Sequence, residues 1–204
     1  MRTIMKLAAV AATALVVAAC GSPKDANKAN FSKAIQAYLD TQPAFCVDIP
    51  GSKFPLVLVD AFPHKYYKPT LEALVELGLL GTRKTEEELP GGKKLPATEY
   101  LATKLGKQYL VTGKSGSAKF CTGKYKLTGI DNFTEPAQNQ WVSATMSQAA
   151  FQYEITDLAE WTQSAKLRAV YEREFKELEK NQDKAVLILT NEGWIHERLF
   201  NDKS

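Results

Sequence analysis

Two histidines, His64 and His196, and three cysteines, Cys20, Cys46 and Cys121, are the whole stock of imidazole and thiol in this 204-residue chain. His64 stands in FPHKYYKP, two and three residues before Tyr66 and Tyr67. That setting suits a general base or a ligand-contacting imidazole among aromatic rings. The plainer alternative is an exposed loop histidine beside tyrosines that pack onto a sheet. No serine or cysteine stands in a recognisable nucleophile motif, so no catalytic residue is assigned. His196 follows Trp194 in a C-terminal apolar run and has no second ligand at metal spacing. A zinc site needs three or four His, Cys or carboxylate ligands, and two distant histidines do not supply one. No metal and no cofactor is expected. Glu86, Glu87 and Glu88 adjoin Arg83 and Lys84 and read as solvated charge rather than an acid–base pair. Gly91-Gly92-Lys93-Lys94 lacks the G-x-x-x-x-G-K-[ST] spacing of a phosphate-cradling loop and reads as a hairpin tip.

The elements that must hold these residues begin after a leader-like segment. Arg2 and Lys6 precede a run from Leu7 to Ala19 broken only by Thr13. Thirteen residues of helix span about 20 Å, short of a hydrocarbon core of about 30 Å. Residues 1–19 therefore read as a signal peptide and stand outside the fold. The whole chain has 26 Lys+Arg and 23 Asp+Glu; without Arg2 and Lys6 the balance is 24 to 23. Near-neutrality gives no electrostatic reason to expect a nucleic-acid partner.

Val17-Ala18-Ala19-Cys20 resembles the lipobox of bacterial lipoproteins. The resemblance implies cleavage before Cys20 and acylation of that cysteine, with Gly21 and Ser22 following where inner-membrane retention would have an aspartate. It implies a protein anchored in the outer membrane and facing the periplasm, and the chain as a whole is similar to small envelope lipoproteins of Gram-negative bacteria. Two or three acyl chains anchor stably where one does not. Residues 20–29, the lipidated cysteine and a polar stretch with Gly, Ser and Pro, are expected to act as a tether, and residues 30–204 as one periplasmic domain with a candidate sub-division near 112–117. With Cys20 acylated, Cys46 and Cys121 remain in an oxidising compartment. They form either a disulfide, worth about 4 kcal/mol in the chain-entropy model, or two buried free thiols.

Asn30 is placed to cap a helix carrying Phe31, Ile35, Tyr38 and Leu39. Residues 44–49 and 54–59 read as strands, and 60–68 as an aromatic loop. Pro69 then opens a helix bearing Leu71, Leu74 and Val75. Residues 118–131 and 141–156 read as long strands forming an antiparallel pair. The apolar phase of the second shifts between Met146 and Phe151, which predicts a bulge there. Residues 158–180 read as one charged helix with Trp161, Ala165, Tyr171, Phe175 and Leu178 inward, and Glu172–Lys176 and Arg173–Glu177 as ion pairs. A strand over 184–190 and a turn at 191–193 lead into WIHERLF.

The stretch 69–110 resembles a winged-helix segment at Leu74, Gly78, Leu79, Leu80, Tyr100, Thr103, Gly106, Lys107 and Leu110, with Ala102 where that pattern carries leucine. The resemblance implies a helix, a two-stranded wing and a following turn. The helix offers Glu72 and Glu76 to any groove, which phosphates would repel, so the implied role is architectural. The expected class is α+β, a helical winged-helix-like part followed by an antiparallel β-rich part with a C-terminal helix and strand. The expected function is non-enzymatic binding of another envelope component, a protein or peptidoglycan. Alternatives are an envelope hydrolase, or a small-ligand binder using the β-rich half as a cup.

Overall fold

The computed structural model describes residues 21–140 and 143–201. Cys20, the leader-like segment and Trp141 lie outside the described residues. Asn27, in extended conformation, opens the first helix; its side-chain oxygen accepts from the Asn30 N–H at 2.9 Å, and α1 (Lys28–Leu39) follows. The cap thus stands three residues before Asn30. Phe31, Ala34, Ile35 and Leu39 are buried, one stripe at helical spacing.

In chain order there follow β1 (Pro43–Asp48), β2 (Leu56–Val59), α2 (Lys68–Glu76), β3 (Leu80–Glu88) and β4 (Lys94–Ala102). Then come β5 (Leu110–Thr112), β6 (Ala118–Phe133), β7 (Ala137–Asn139) and β8 (Ala144–Thr156). The chain continues through α3 (Ala165–Val170), α4 (Glu172–Glu177), β9 (Gln182–Leu189), β10 (Trp194–His196) and α5 (Glu197–Asn201). The class is α+β. Seven strands form an antiparallel sheet along the path β1-β6-β8-β9-β10, with β5 also on β6 and β7 also on β8. A separate three-stranded sheet has the order β2-β4-β3. Residues 113–117 are the tight turn between β5 and β6, closed by Gly113 and Ser117 at 2.8 Å. One core takes residues from both sides of that turn, from Phe45 through Leu80 to Phe175.

The long β6–β8 pair is antiparallel, but its irregularities lie on β6. Thr128 and Asp131 are the extra residues, between Leu127 and Gly129 and between Ile130 and Asn132. Strand β8 keeps strict alternation with Ser147, Ala149 and Phe151 buried. The apparent phase shift comes from Ser147, an inward residue of outward chemistry whose hydroxyl donates to the Thr134 carbonyl at 2.7 Å.

Residues 158–180 are also not one helix. A 3₁₀ turn (Glu160–Gln163) precedes α3, which Ser164 caps by accepting from the Leu167 N–H at 3.2 Å. Tyr171, at φ −113° and ψ 41°, separates α3 from α4. Trp161, Tyr171 and Phe175 are buried as expected; Leu167 is buried too, while Ala165 is exposed. The Tyr171 hydroxyl donates to the Asp48 carbonyl, and burial first, then the nearby Asp48 charge, raises its pKa far above the usual phenol range. Glu172 pairs with Lys176 at 2.7 Å, but Arg173 pairs with Glu174 rather than Glu177, which takes Lys180.

One edge of β6 is closed by a side chain. Gln36 of α1 donates from Nε2 to the Tyr125 carbonyl at 3.1 Å and accepts at Oε1 from the Leu127 N–H at 2.8 Å. Its amide does for the strand what a neighbouring peptide would do.

Candidate functional site

The turn from β2 into α2 builds the site. Phe62 donates its N–H to the Val59 carbonyl at 3.1 Å, and the His64 carbonyl accepts from the N–H groups of Tyr67 and Lys68, both at 2.9 Å. Pro69 then sits in the first turn of α2, where a missing N–H costs nothing. Leu71, Ala73 and Leu74 bury the helix, which fixes the loop's exit.

Between this loop and the small sheet lies a cleft of about 430 Å³. Leu58, Leu71 and Tyr100 are its apolar members from β2, α2 and β4, joined by Phe62 and Pro63 of the loop. Asp60, His64, Lys65, Lys68, Glu72 and Thr98 supply its polar groups. The His64 Nε2 lies 2.9 Å from the Val59 carbonyl. A carbonyl only accepts, so Nε2 carries the proton and Nδ1 is the open position of the neutral ring. Asp60 is engaged on both oxygens, by the Thr98 hydroxyl at 2.6 Å and the Lys84 ammonium at 2.9 Å. Its carboxyl is held below the ordinary range first by the Thr98 hydrogen bond, then by that from Lys84, with the positive charge of Lys84 adding to it. The antiparallel register of Leu58 against Thr98 brings β4 to the loop.

His64 therefore reaches the cleft with two carboxylates, Asp60 and Glu72. The ring's one hydrogen bond among the described residues goes to the Val59 carbonyl, and Glu72 lies 3.9 Å from Lys68. This set holds charge and apolar surface in fixed places: it can grip a ligand with a nonpolar part and groups of either sign. Tyr66 and Tyr67 do not join the lining. Tyr66 is 81% exposed with the Lys65 ammonium 5.0 Å from its ring, and Tyr67 is half-exposed at the start of α2. Phe62, 49% exposed, takes the part expected of the tyrosines. Its signal in the sequence is only an apolar residue beside Pro63 in a polar loop.

The remaining candidates lie apart. Cys46 and Cys121 are bonded to each other, facing across β1 and β6 with Cα atoms 4.1 Å apart. The Cys121 N–H points the other way, to the Tyr109 carbonyl at 2.8 Å. The pair thus occupies a non-hydrogen-bonded position, where antiparallel strands approach most closely. His196 is buried and stacks on Tyr38 at 3.9 Å between ring centres, and its Nδ1 accepts from the Arg198 N–H at 3.1 Å. Among the described residues no cluster of three or more His, Cys, Asp or Glu could hold a metal ion. No known protein family, curated protein or solved structure matches the chain.

Proposed function

We propose that this chain is a lipid-anchored envelope protein, non-enzymatic, that uses the His64 cleft and its aromatic loop to bind another component of the envelope. The observation that carries the reading is Phe62: a large apolar ring, half in solvent, at the lip of a cleft where Leu58, Leu71 and Tyr100 are already packed against the core. Exposed aromatic residues beside a pocket are the usual anchors of binding surfaces. The lipobox-like Val17–Cys20 and the Cys46–Cys121 bond support an anchored, exported location.

The helix and wing are the scaffold of that cleft, and we read them as winged-helix-like architecture without nucleic-acid binding. Three features support this reading. The sheet order is β2-β4-β3. The Thr103 hydroxyl donates to the Gly78 carbonyl at 2.5 Å and accepts from the Gly106 N–H at 3.0 Å. Glu72 and Glu76 of α2 face Lys68 and Lys166 of the chain itself.

A photo-crosslinking residue at Phe62, with another at the exposed Thr128 of β6, tests the binding surface in cells. A discrete crosslinked product from position 62, absent from 128 and lost in a Phe62-probe variant also carrying His64→Ala and Lys68→Ala, is expected. Equal labelling from both positions overturns the reading. One observation favours the hydrolase alternative, the company of His64 with Asp60 and Glu72. Turnover of peptidoglycan fragments that His64→Ala abolishes would replace binding by catalysis.

A further inference from the structure

Residues 21–29 have the composition of a flexible tether, yet the chain is docked from Ser22 onward. The Ser22 carbonyl accepts from the Asp25 N–H at 2.9 Å and from the Asn30 side-chain amide at 2.8 Å. That same amide donates to the Asp25 carbonyl at 2.9 Å, and the Trp194 indole N–H donates to the Lys24 carbonyl at 3.0 Å. Pro23 closes against the turn between β9 and β10. A Cβ on Gly193 would come within 2.8 Å of the Pro23 carbonyl oxygen, and Gly193 sits at φ 131°, a conformation other residues rarely adopt. Two elements far apart in sequence, α1 and β10, therefore hold the same four residues.

This leaves Gly21 alone between Cys20 and the docked segment. Successive Cα atoms are about 3.8 Å apart, so the Cys20 Cα lies within about 8 Å of the Ser22 Cα whatever its conformation. A free nine-residue tether would instead wander over roughly 16 Å. We propose that the anchor has no leash: the end of the domain formed by residues 22–25 and the turn 190–193 is held against the bilayer, which is its interaction partner. The proposal rests on acylation of Cys20. The surface suits an anionic lipid face. Lys24 and Lys33 are exposed there against Asp25 and Glu192, with Lys28 nearby donating to the Asp131 carbonyl at 3.2 Å, and basic residues beside a membrane are drawn to acidic headgroups. A cleft of about 320 Å³ lined by Pro23, Lys33, Ala37, Trp194 and Leu199 opens at the same end. Of the molecule's two cores, the bilayer meets the one that contains Trp194, while the His64 loop belongs to the other.

The test uses the full lipidated protein in vesicles of phosphatidylethanolamine and phosphatidylglycerol, with a fluorescent donor on Glu192→Cys and an acceptor in the headgroups. A second form carries twelve Gly/Ser residues between Gly21 and Ser22, adding an r.m.s. reach of about 19 Å. The mass of the N-terminal peptide is read first. With acyl groups on Cys20, transfer in the native-length form should exceed that of the extended form by about twofold or more. Equal transfer with Cys20 acylated overturns the short leash and leaves the anchor standing. A peptide without lipid overturns the anchor, and the leash with it. Amide exchange on the unlabelled lipidated protein gives an independent reading: the Asp25 and Phe31 N–H groups should exchange at least about tenfold more slowly than an unstructured chain. Exchange at the unstructured rate shows that the segment is a tether.

Discussion

The molecule's two cores lie along one sheet and are closed in different ways. The core beside α2 joins Phe45, Val47, Leu74, Leu79, Phe120, Trp161, Leu167 and Phe175. Its rings touch in series: Phe45 lies 4.6 Å from Phe175 and 6.0 Å from Trp161, and Tyr109 lies 5.8 Å from Trp161. A covalent bond at Cys46–Cys121 clamps its two adjoining strands. The core under α1 joins Phe31, Ile35, Ile130, Phe151, Leu187 and Trp194, with Phe31 edge-on to both Phe133 and Trp194 at 4.8 Å. Among the described residues it has no covalent clamp, and α1 and β10 close it. The tryptophans mark the contrast. Trp194 spends its N–H on the Lys24 carbonyl, whereas the buried Trp161 N–H has no partner among the described residues, a loss of about 1–3 kcal/mol. The covalently held region can carry an open cleft and an unpaired donor; the other holds the chain's entry point in place through many satisfied contacts.

Removing the clamp is the harshest way to break that contrast. Cys46→Ala with Cys121→Ala releases a loop closed over 75 residues, and the chain-entropy model assigns it about 4 kcal/mol of unfolding free energy. Denaturant unfolding of the double variant should show a loss of that order. A loss under about 1 kcal/mol would mean that the β1–β6 ladder alone secures the cleft-bearing region.

A milder perturbation of the same region targets Gly106. The Thr103 hydroxyl bridges the Gly78 carbonyl and the Gly106 N–H, and a Cβ on Gly106 would meet the Leu79 carbonyl oxygen at 2.0 Å. Gly106→Ala should cost about 2 kcal/mol by overpacking and lower the thermal midpoint accordingly. Unchanged stability would show that the turn after β4 is free to move. Here the sequence reading of a helix over Leu71, Leu74 and Val75 holds as α2, because the apolar spacing lies within one contiguous stretch. The other region was read less well for a physical reason. Its start, Ser22 to Asn27, looks like tether because polar residues pair with the backbone of distant elements, which composition does not reveal. Gln36 looks like a solvated helix position and instead completes the edge of β6. The candidate site divides along the same line. His64 stands out by type, but its sharing a cleft with Thr98 depends on the β2–β4 register, and no spacing distinguishes the cleft-lining Phe62 from the outward Tyr66.

The smallest expected effect belongs to the core under α1 and depends on pH. His196 stacks on Tyr38 and its Nδ1 accepts from the Arg198 N–H, a bond the imidazolium cannot make because that nitrogen would then carry a proton. Burial pushes its pKa down; the carboxylates of Glu197 and Asp183 push it up, and the Arg198 charge pushes it down. The net shift is downward. Below the unfolded value of about 6.5 the unfolded chain binds a proton that the folded chain resists. The stability that neutral His196 contributes is therefore whole above pH 6.5 or so and declines as the pH falls toward the folded value. His196→Gln keeps a hydrogen-bond acceptor but does not titrate. The gap in unfolding free energy between wild type and variant should be flat from about pH 7 to 8 and shrink steadily below about 6.5. A gap that widens on acidification would mean the charged imidazole is the form this core prefers, and the contrast between the two regions would lose its pH signature.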